Sequence, residues 1–169
     1  MFDTAFQRTI GLEGGFTNNP MDRGGPTKFG ISKRANPDLD IERLTLEQAK
    51  LFYRTRYWDP LMLNQISSEL VQCEMFDTGV NCGKRGIALI TQKALNFLGE
   101  NIEVDGWLGP VTIGKLNHWI EKDIRALFKT LNGFQFIWYV DIVNKDPFQR
   151  VFSRGWMKRI QEYNEEKRK

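Results

Sequence analysis

The sequence predicts a single, mainly α-helical domain, and three observations support this prediction. Apolar residues recur at helical spacing along most of the chain, glycine and proline stand at the ends of these segments, and sustained period-two alternation is missing. The chain has 169 residues, of which 41% are hydrophobic, and this suffices to bury one core. A glycine-rich stretch over residues 15–31 interrupts the helical pattern, and we expect a short irregular loop or hairpin insert there.

The first helix is predicted to begin at Phe2 and to end at Glu13. Apolar side chains recur at helical spacing up to this point, and the glycines that follow, Gly14 and Gly15, readily take the left-handed conformation that closes a helix. The negative end of the helix dipole would then lie at Glu13. It would disfavour an ionised carboxylate there and raise the pKa of Glu13.

The second helix is predicted to begin after Thr45. Gln48 follows three residues later and completes the pattern of a capping box, in which each side chain binds the backbone N–H of the other residue. The side of this helix that we expect to be buried carries Leu46, Ala49, Leu51, Phe52 and Tyr53.

Glycine and proline delimit the later helices. Gly99 closes one apolar segment, and Pro110 suits the first turn of the next helix because the N–H that proline lacks is unpaired there. These helices are predicted over residues 68–83, 85–98, 110–119, 121–144 and 152–166. The aromatic stretch FQFIWYVDIV is predicted to lie mostly in the core, whereas Lys158 and Arg159 are expected on a solvated basic face.

Composition and charge exclude several classes of protein. The chain carries 24 Lys and Arg against 21 Asp and Glu, an excess that fits a polyanionic surface without choosing among cell wall, membrane and nucleic acid. No recognition-helix pattern supports nucleic acid as a partner. The N-terminus lacks the features of a signal peptide, and no apolar run is long enough to span a bilayer. We therefore expect a product that is cytoplasmic when synthesised, with no stable membrane insertion.

The cysteine and histidine content gives no reason to expect a metal. Cys73 and Cys82 are nine residues apart in a predicted helix, roughly 13 Å along its axis, so we expect two reduced cysteines rather than a disulfide. His118 is the single histidine and cannot build a zinc site alone. We expect no cofactor, since acid catalysis by carboxylates needs none.

The glycine-rich stretch carries the residues that suggest catalysis. A carboxyl group kept protonated near neutral pH serves as a general acid, and Glu13 fits this role, with Asp22 as a second carboxylate that activates a water or stabilises positive charge. Thr27 is a candidate to orient that water, and Asn18 and Asn19 supply hydrogen-bonding groups across a cleft. The alternative is a solvated charge at a helix end, followed by a tight turn that Asp22 caps.

Three further residues are candidates for substrate binding. Asp77 and Asn81 are four residues apart, so they share one helix face, where they line the floor of a cleft or satisfy backbone groups. Trp107 either stacks on a sugar ring or packs in the core.

Three motifs resemble those of glycoside hydrolase family 108, the phage-type N-acetylmuramidases and secretion activator proteins. The stretch EGGFTNNPMDRGGPTKFGIS resembles the family signature of E-G-G, an aromatic residue, D-x-G-G and T-x-x-G-I. FDTGVNCGKRGIALITQKALNFLG is similar to the aromatic-D-x-x-V-N-x-G stretch. VDGWLGPVT is similar to the D-G-x-x-G-P-x-T of the predicted peptidoglycan-binding region.

The resemblance implies a lysozyme-like fold that cleaves the bond between N-acetylmuramic acid and N-acetylglucosamine, with Glu13 as the catalytic acid. Phage lysozymes of the wider superfamily have five residues between the Asp or Cys and the Thr. This chain has four between Asp22 and Thr27. Residues 1–169 then form one domain, with a catalytic part at 1–82 and a peptidoglycan-binding part at 83–169. The partners implied are bacterial peptidoglycan and a holin or export system, and the alternative is a non-catalytic wall-binding or secretion-associated module.

Overall fold

Helices dominate the computed structural model, which describes residues 1–11, 15–18 and 25–163. The α-helices are α1 (Phe2–Thr9), α2 (Leu46–Tyr53), α3 (Glu69–Phe97), α4 (Pro110–Lys145) and α5 (Ser153–Met157). Strands β1 (Thr27–Lys28) and β2 (Ile31–Ser32) pair antiparallel. A π-helical turn covers Arg54–Trp58, and 3-10 helices cover Leu63–Gln65 and Pro147–Phe152. The mainly helical fold with a hairpin insert is therefore confirmed.

The first helix is shorter than predicted. α1 ends at Thr9, Ile10 caps it, and Gly11 follows with a left-handed φ of 81°. The apolar pattern in the sequence continues past Gly11, but the backbone of Gly11 is not helical. The helix therefore ends before this glycine. The prediction that Gly14 and Gly15 end this helix is wrong.

The capping box of α2 is confirmed. The Thr45 Oγ1 accepts a hydrogen bond from Gln48 N at 3.2 Å, and the Gln48 Oε1 accepts one from Thr45 N at 2.9 Å. Ala49 and Tyr53 are buried as predicted. Leu51 is 62% exposed, so its predicted burial is wrong.

The two long helices each contain a break that the sequence indicated. α3 starts after Ser68, whose hydroxyl accepts from Val71 N, and it kinks at Gly83, where φ is 75° and ψ is 163°. α4 starts at Pro110 and breaks at Asp123, slightly later than predicted. The Asp123 carboxylate accepts from Ala126 N at 2.9 Å and so caps the second half of the helix.

The C-terminal end departs from the prediction. A helix was expected over 152–166, but α5 ends at Met157, and residues 164–169 lie outside the described part. The predicted burial of the aromatic stretch is also wrong in part, because Phe136, Ile137 and Val140 are exposed. Only one side of this half of α4 is covered by the core, so its other side faces outward.

An aromatic cluster packs α1 against α2 and α3. Its rings meet mostly edge to face with centroids 5.4–6.2 Å apart. Such pairs contribute about 0.5–1.5 kcal/mol each beyond burial. The members are Phe2, Phe6, Tyr53, Trp58 and Phe76. The cluster holds α1 in place, and the segment that carries Glu13 follows α1 in the sequence.

Tyr53→Phe is expected to destabilise the fold by about 1–2 kcal/mol. The buried Tyr53 hydroxyl donates to the Phe29 carbonyl at 2.9 Å and so ties the turn between β1 and β2 to α2. Urea unfolding measures the loss, and Tyr57→Phe, at a half-buried tyrosine in the following helical turn, is the matched control. Equal losses in the two variants would show that the Phe29 bond does not stabilise the hairpin.

Cys73 and Cys82 are both free, as predicted. Within the described ranges, no group of three or more His, Cys, Asp or Glu side chains is placed to hold a metal ion. In the same ranges, no helix has the length and hydropathy needed to cross a bilayer.

Candidate functional site

The hairpin brings together the two chain segments that flank Asp22. Thr17 N donates to Thr27 O at 2.9 Å, and Thr27 N donates to Thr17 O at 2.8 Å. Thr27 is in turn paired with Ser32 across β1 and β2. These bonds place Asn18 beside the strand that carries Thr27, so two of the predicted site residues lie close together.

The Thr27 side chain is partly engaged by its own loop. Its hydroxyl donates to the Gly25 carbonyl at 3.0 Å, and its oxygen retains the capacity to accept a hydrogen bond from a water. Gly25 has a left-handed φ of 68°, a conformation that glycine adopts readily. A role for Thr27 in orienting a water therefore stays a prediction.

A cavity of about 420 Å³ opens beside Asn18. This volume falls within the range of small-ligand pockets. Its wall includes Pro26 and Lys33 from the hairpin region, and three acidic residues from the loop before α2. The acidic residues are Asp38, Asp40 and Glu42. Asn18 thus lines a groove with three acidic residues, and its role in substrate binding stays a prediction.

Glu13, Asn19 and Asp22 lie outside the described residues. The end of α1 at Thr9 nevertheless bears on the chemistry predicted for Glu13, because the helix dipole acts mainly within the last turn. Glu13 follows Thr9 by four residues. The helix end from which the raised pKa was predicted therefore lies at Thr9 and not at Glu13.

Asp77 joins three segments of the chain. Its buried carboxylate accepts from Arg159 Nη1 at 2.6 Å and also binds the side chain of Thr9, the last residue of α1. Burial raises the pKa of Asp77, and Arg159 and Thr9 oppose this effect. Arg159 was expected on a solvated face and is instead half-buried in an ion pair. Contact between Asp77 and substrate stays a prediction.

The segment after α5 is fixed to α4 by further contacts. Gln161 N donates to Asn132 Oδ1 at 2.6 Å, and Asn132 Nδ2 donates to the Phe128 carbonyl at 3.1 Å. The ring of Tyr163 lies edge-on to that of Phe128, with centroids 5.9 Å apart. The ion pair of Arg159 is therefore one of several contacts that hold the segment after α5 against α3 and α4.

Glu74 lies three residues before Asp77 on α3 and is almost fully buried. Burial raises its pKa to about 8; the neighbouring Asp77 also raises it, and a hydrogen bond with Asn132 lowers it. At pH 7 the group is therefore mostly protonated. The two acids lie in the interior beside Arg159, where burial favours the protonated form of each.

Asn81 lies on the same face of α3 as Asp77, as predicted. Its Nδ2 donates to the Asp77 carbonyl at 2.7 Å, so it satisfies the backbone of its own helix rather than that of the glycine-rich loop. The side chain is exposed and accessible to a ligand. Its role in substrate binding stays a prediction.

Trp107 is 65% exposed, so the core-packing alternative is wrong. A rigid loop presents its indole: the Asp105 carboxylate accepts from Trp107 N at 2.8 Å and from Gln92 Nε2 at 2.7 Å. Gln92 also accepts from Gly106 N at 2.9 Å. The ring lies directly over Gly109, where a Cβ would come within 2.4 Å of it. The loop therefore holds one face of an aromatic ring toward solvent.

The predicted site residues form separate groups in the described structure. Asn18 and Thr27 share the hairpin, Asp77 is joined to the end of α1, and Trp107 is tied to Gln92 in the second half of α3. The sequence motifs do not single out Glu74 or the pairing of Arg159 with Asp77. The mainly apolar stretch CEMFDT carries two acids three residues apart. This pattern is a signal for a hydrogen-bonding or cationic partner, because carboxylates on a buried helix face require one.

Comparisons with known proteins assign the class of this fold and site. Residues 6–83 match the glycosyl hydrolase 108 family, and residues 87–161 match the predicted peptidoglycan domain. The two matches together cover most of the chain. This is the class of cell-wall hydrolases and wall-binding proteins. The N-terminal part of the chain is therefore similar to the glycosyl hydrolase 108 family.

The solved structure of SagA from Brucella abortus has a similar fold. The TM-score is 0.73 at 20% sequence identity, and the alignment covers 94% of this chain and 88% of that chain. No curated protein matches the sequence. The predicted mainly α, lysozyme-like fold is thereby confirmed. The assignment of catalysis to residues 1–82 and of wall binding to 83–169 stays a prediction.

Proposed function

We propose that this chain is an N-acetylmuramidase, which hydrolyses the bond between N-acetylmuramic acid and N-acetylglucosamine in peptidoglycan. The observation that carries the proposal is the glycosyl hydrolase 108 match over residues 6–83, which includes the E-G-G motif with Glu13. The peptidoglycan domain over 87–161 supports the wall polymer as its substrate. Glycosidase and wall-binding parts in one chain are consistent with an enzyme that stays attached to an insoluble substrate.

Glu13 acts in this proposal as the general acid that protonates the leaving glycosidic oxygen. Asp22 is the second carboxylate, and Thr27 helps to place the water. If Asp22 activates the water as a base, the two carboxyl groups lie roughly 6.5–9.5 Å apart and the anomeric configuration inverts. If Asp22 attacks the sugar directly, they lie about 5–5.5 Å apart and the configuration is retained.

Identification of the cleaved bond tests the proposal most directly. Purified sacculi are digested with the wild-type protein, the fragments are reduced with borohydride, and mass spectrometry identifies the sugar at each reducing end. Fragments ending in reduced N-acetylmuramic acid are expected. Ends in N-acetylglucosamine, anhydro-muramic ends or cleaved peptides would each contradict the muramidase reaction.

The second candidate function is a non-catalytic wall-binding or secretion-associated module. The peptidoglycan-domain match favours it, because binding alone would explain that match. It predicts that the chain sediments with sacculi and releases no fragments. For the muramidase we also propose cytoplasmic synthesis and release to the wall through a holin or export system, as in phage endolysins.

Trp107→Ala is expected to weaken binding to sacculi by roughly tenfold, because a sugar ring stacked on an exposed indole buries apolar surface worth about this factor. Asp105 and Gln92 already fix the backbone of Trp107, and its ring lies over Gly109, so the indole loses little freedom on binding. Sedimentation with sacculi measures the affinity. Phe97→Ala, at another exposed aromatic residue, is the matched control, and an equal effect of both changes would exclude specific stacking on Trp107.

A further inference from the structure

The second half of α4 and the two short helices after it expose apolar side chains near one groove. The groove has a volume of about 270 Å³ and runs between α4 and α5. Trp156 stacks on Tyr139 with centroids 5.0 Å apart and holds α5 on α4 without filling the groove. We call this surface the basic apolar face; its apolar members are Phe136, Val140, Phe148, Val151, Phe152 and Met157.

Local structure aligns these side chains. Phe136 and Val140 are one helical turn apart on α4, and Phe148 and Val151 eclipse each other in the 3-10 helix. The Asp146 carboxylate accepts from Phe148 N at 3.1 Å and so fixes the start of that short helix. Phe148 is 90% exposed, which is unusual for an aromatic side chain on an ordered helix.

The same segment of the chain carries exposed positive charges. Lys145, Arg150, Arg154 and Lys158 are all exposed in this region. None of these four cations forms an ion pair with a carboxylate in the described part of the chain. Residues 136–158 otherwise carry two acids, and one of them, Asp146, is engaged as a helix cap. The face thus combines exposed aromatic groups with available positive charge.

Two other occupants fit this face poorly. Residues 164–169 read NEEKRK and contain no apolar side chain that could fill the groove. A second copy of the chain, related by a twofold axis, would place the same four cations opposite each other and would be opposed by repulsion. A bilayer with anionic headgroups matches both properties, because apolar side chains enter the interface and Lys and Arg bind the negative surface.

We propose that the basic apolar face binds reversibly to the surface of a bilayer that contains anionic lipids. The side chains of Phe148 and Val151 enter the boundary between headgroups and acyl chains, and Arg150 and Arg154 contact lipid phosphates. This inference is separate from the muramidase reaction, since it concerns a surface formed by the C-terminal helices. Its effect would be to hold a wall-cleaving protein beside the membrane.

The full chain is tested by sedimentation with vesicles of phosphatidylcholine alone and of phosphatidylcholine mixed equally with phosphatidylglycerol. Binding is expected with the mixed vesicles, and it should weaken as salt is added. Phe148→Ser is expected to lower the partition constant by roughly tenfold, and Arg150→Gln combined with Arg154→Gln by at least about tenfold. Phe97→Ser and Arg43→Gln, at exposed positions elsewhere, are the matched controls and should bind like the wild type.

Circular dichroism confirms that each variant folds. Failure of the wild type to bind mixed vesicles would overturn the proposal, as would equal losses in the controls. Concentration-dependent dimerisation abolished by Phe148→Ser would assign the face to a second copy. Weaker binding to lipid-free sacculi in the same variants would assign it to the wall.

Discussion

Glu13→Gln is expected to lower the rate of peptidoglycan cleavage by about a thousandfold, with little change in binding to sacculi. A positioned general acid contributes about 10²–10⁴-fold, and an amide cannot donate its proton to a leaving oxygen in the same way. The change preserves size and hydrogen-bonding capacity, so substrate affinity should survive. Release of reducing ends from purified sacculi measures the rate, and sedimentation measures the binding.

Two controls accompany this variant: the substitution of a second acid and a measurement of folding. Glu121→Gln removes an exposed carboxylate on α4 and should leave the rate unchanged. Circular dichroism and thermal unfolding show whether Glu13→Gln is folded. A folded Glu13→Gln that clears sacculi at the wild-type rate would remove Glu13 from the mechanism, whereas an inactive wild type that binds sacculi would favour the non-catalytic module.

Local signals in the sequence predicted most of the fold. Thr45 with Gln48, Pro110, and Gly83 each act within a few residues, and each marks a boundary or break that the structure contains. The end of α1 was misplaced because Gly11 and the later glycines carry similar local information. The sequence pattern alone does not determine which glycine adopts the left-handed conformation.

The site was less predictable because it depends on contacts between distant residues. Arg159 and Asp77 are 82 positions apart, and no periodic pattern links them. Trp107 left two alternatives open, since an aromatic residue in a turn is compatible with burial or exposure. Hydrogen bonds with Gln92 fix the loop in which Trp107 is exposed. These bonds too join residues that are far apart in the sequence.

Glu74→Gln is expected to stabilise the protein at pH 8 by a few kcal/mol and to make its stability less dependent on pH. The pKa of Glu74 is raised from 4.5 to about 8, first by burial and then by Asp77. The folded protein therefore binds more protons than the unfolded chain between these values. The contribution of Glu74 to stability is fully present below its unfolded pKa and is lost as the pH rises toward 8, whereas the amide of the variant stays neutral throughout.

Urea unfolding at pH 5 and pH 8 measures this effect. Glu121→Gln, which removes an exposed carboxylate, should show the pH dependence of the wild type. Arg159→Gln should act in the opposite direction, because it leaves the buried Asp77 without its cation beside Glu74 and makes ionisation of either acid more costly. If Glu74→Gln instead followed the wild-type curve at both pH values, the buried acid would be ionised in the folded protein, and a cation beyond the described residues would have to neutralise it.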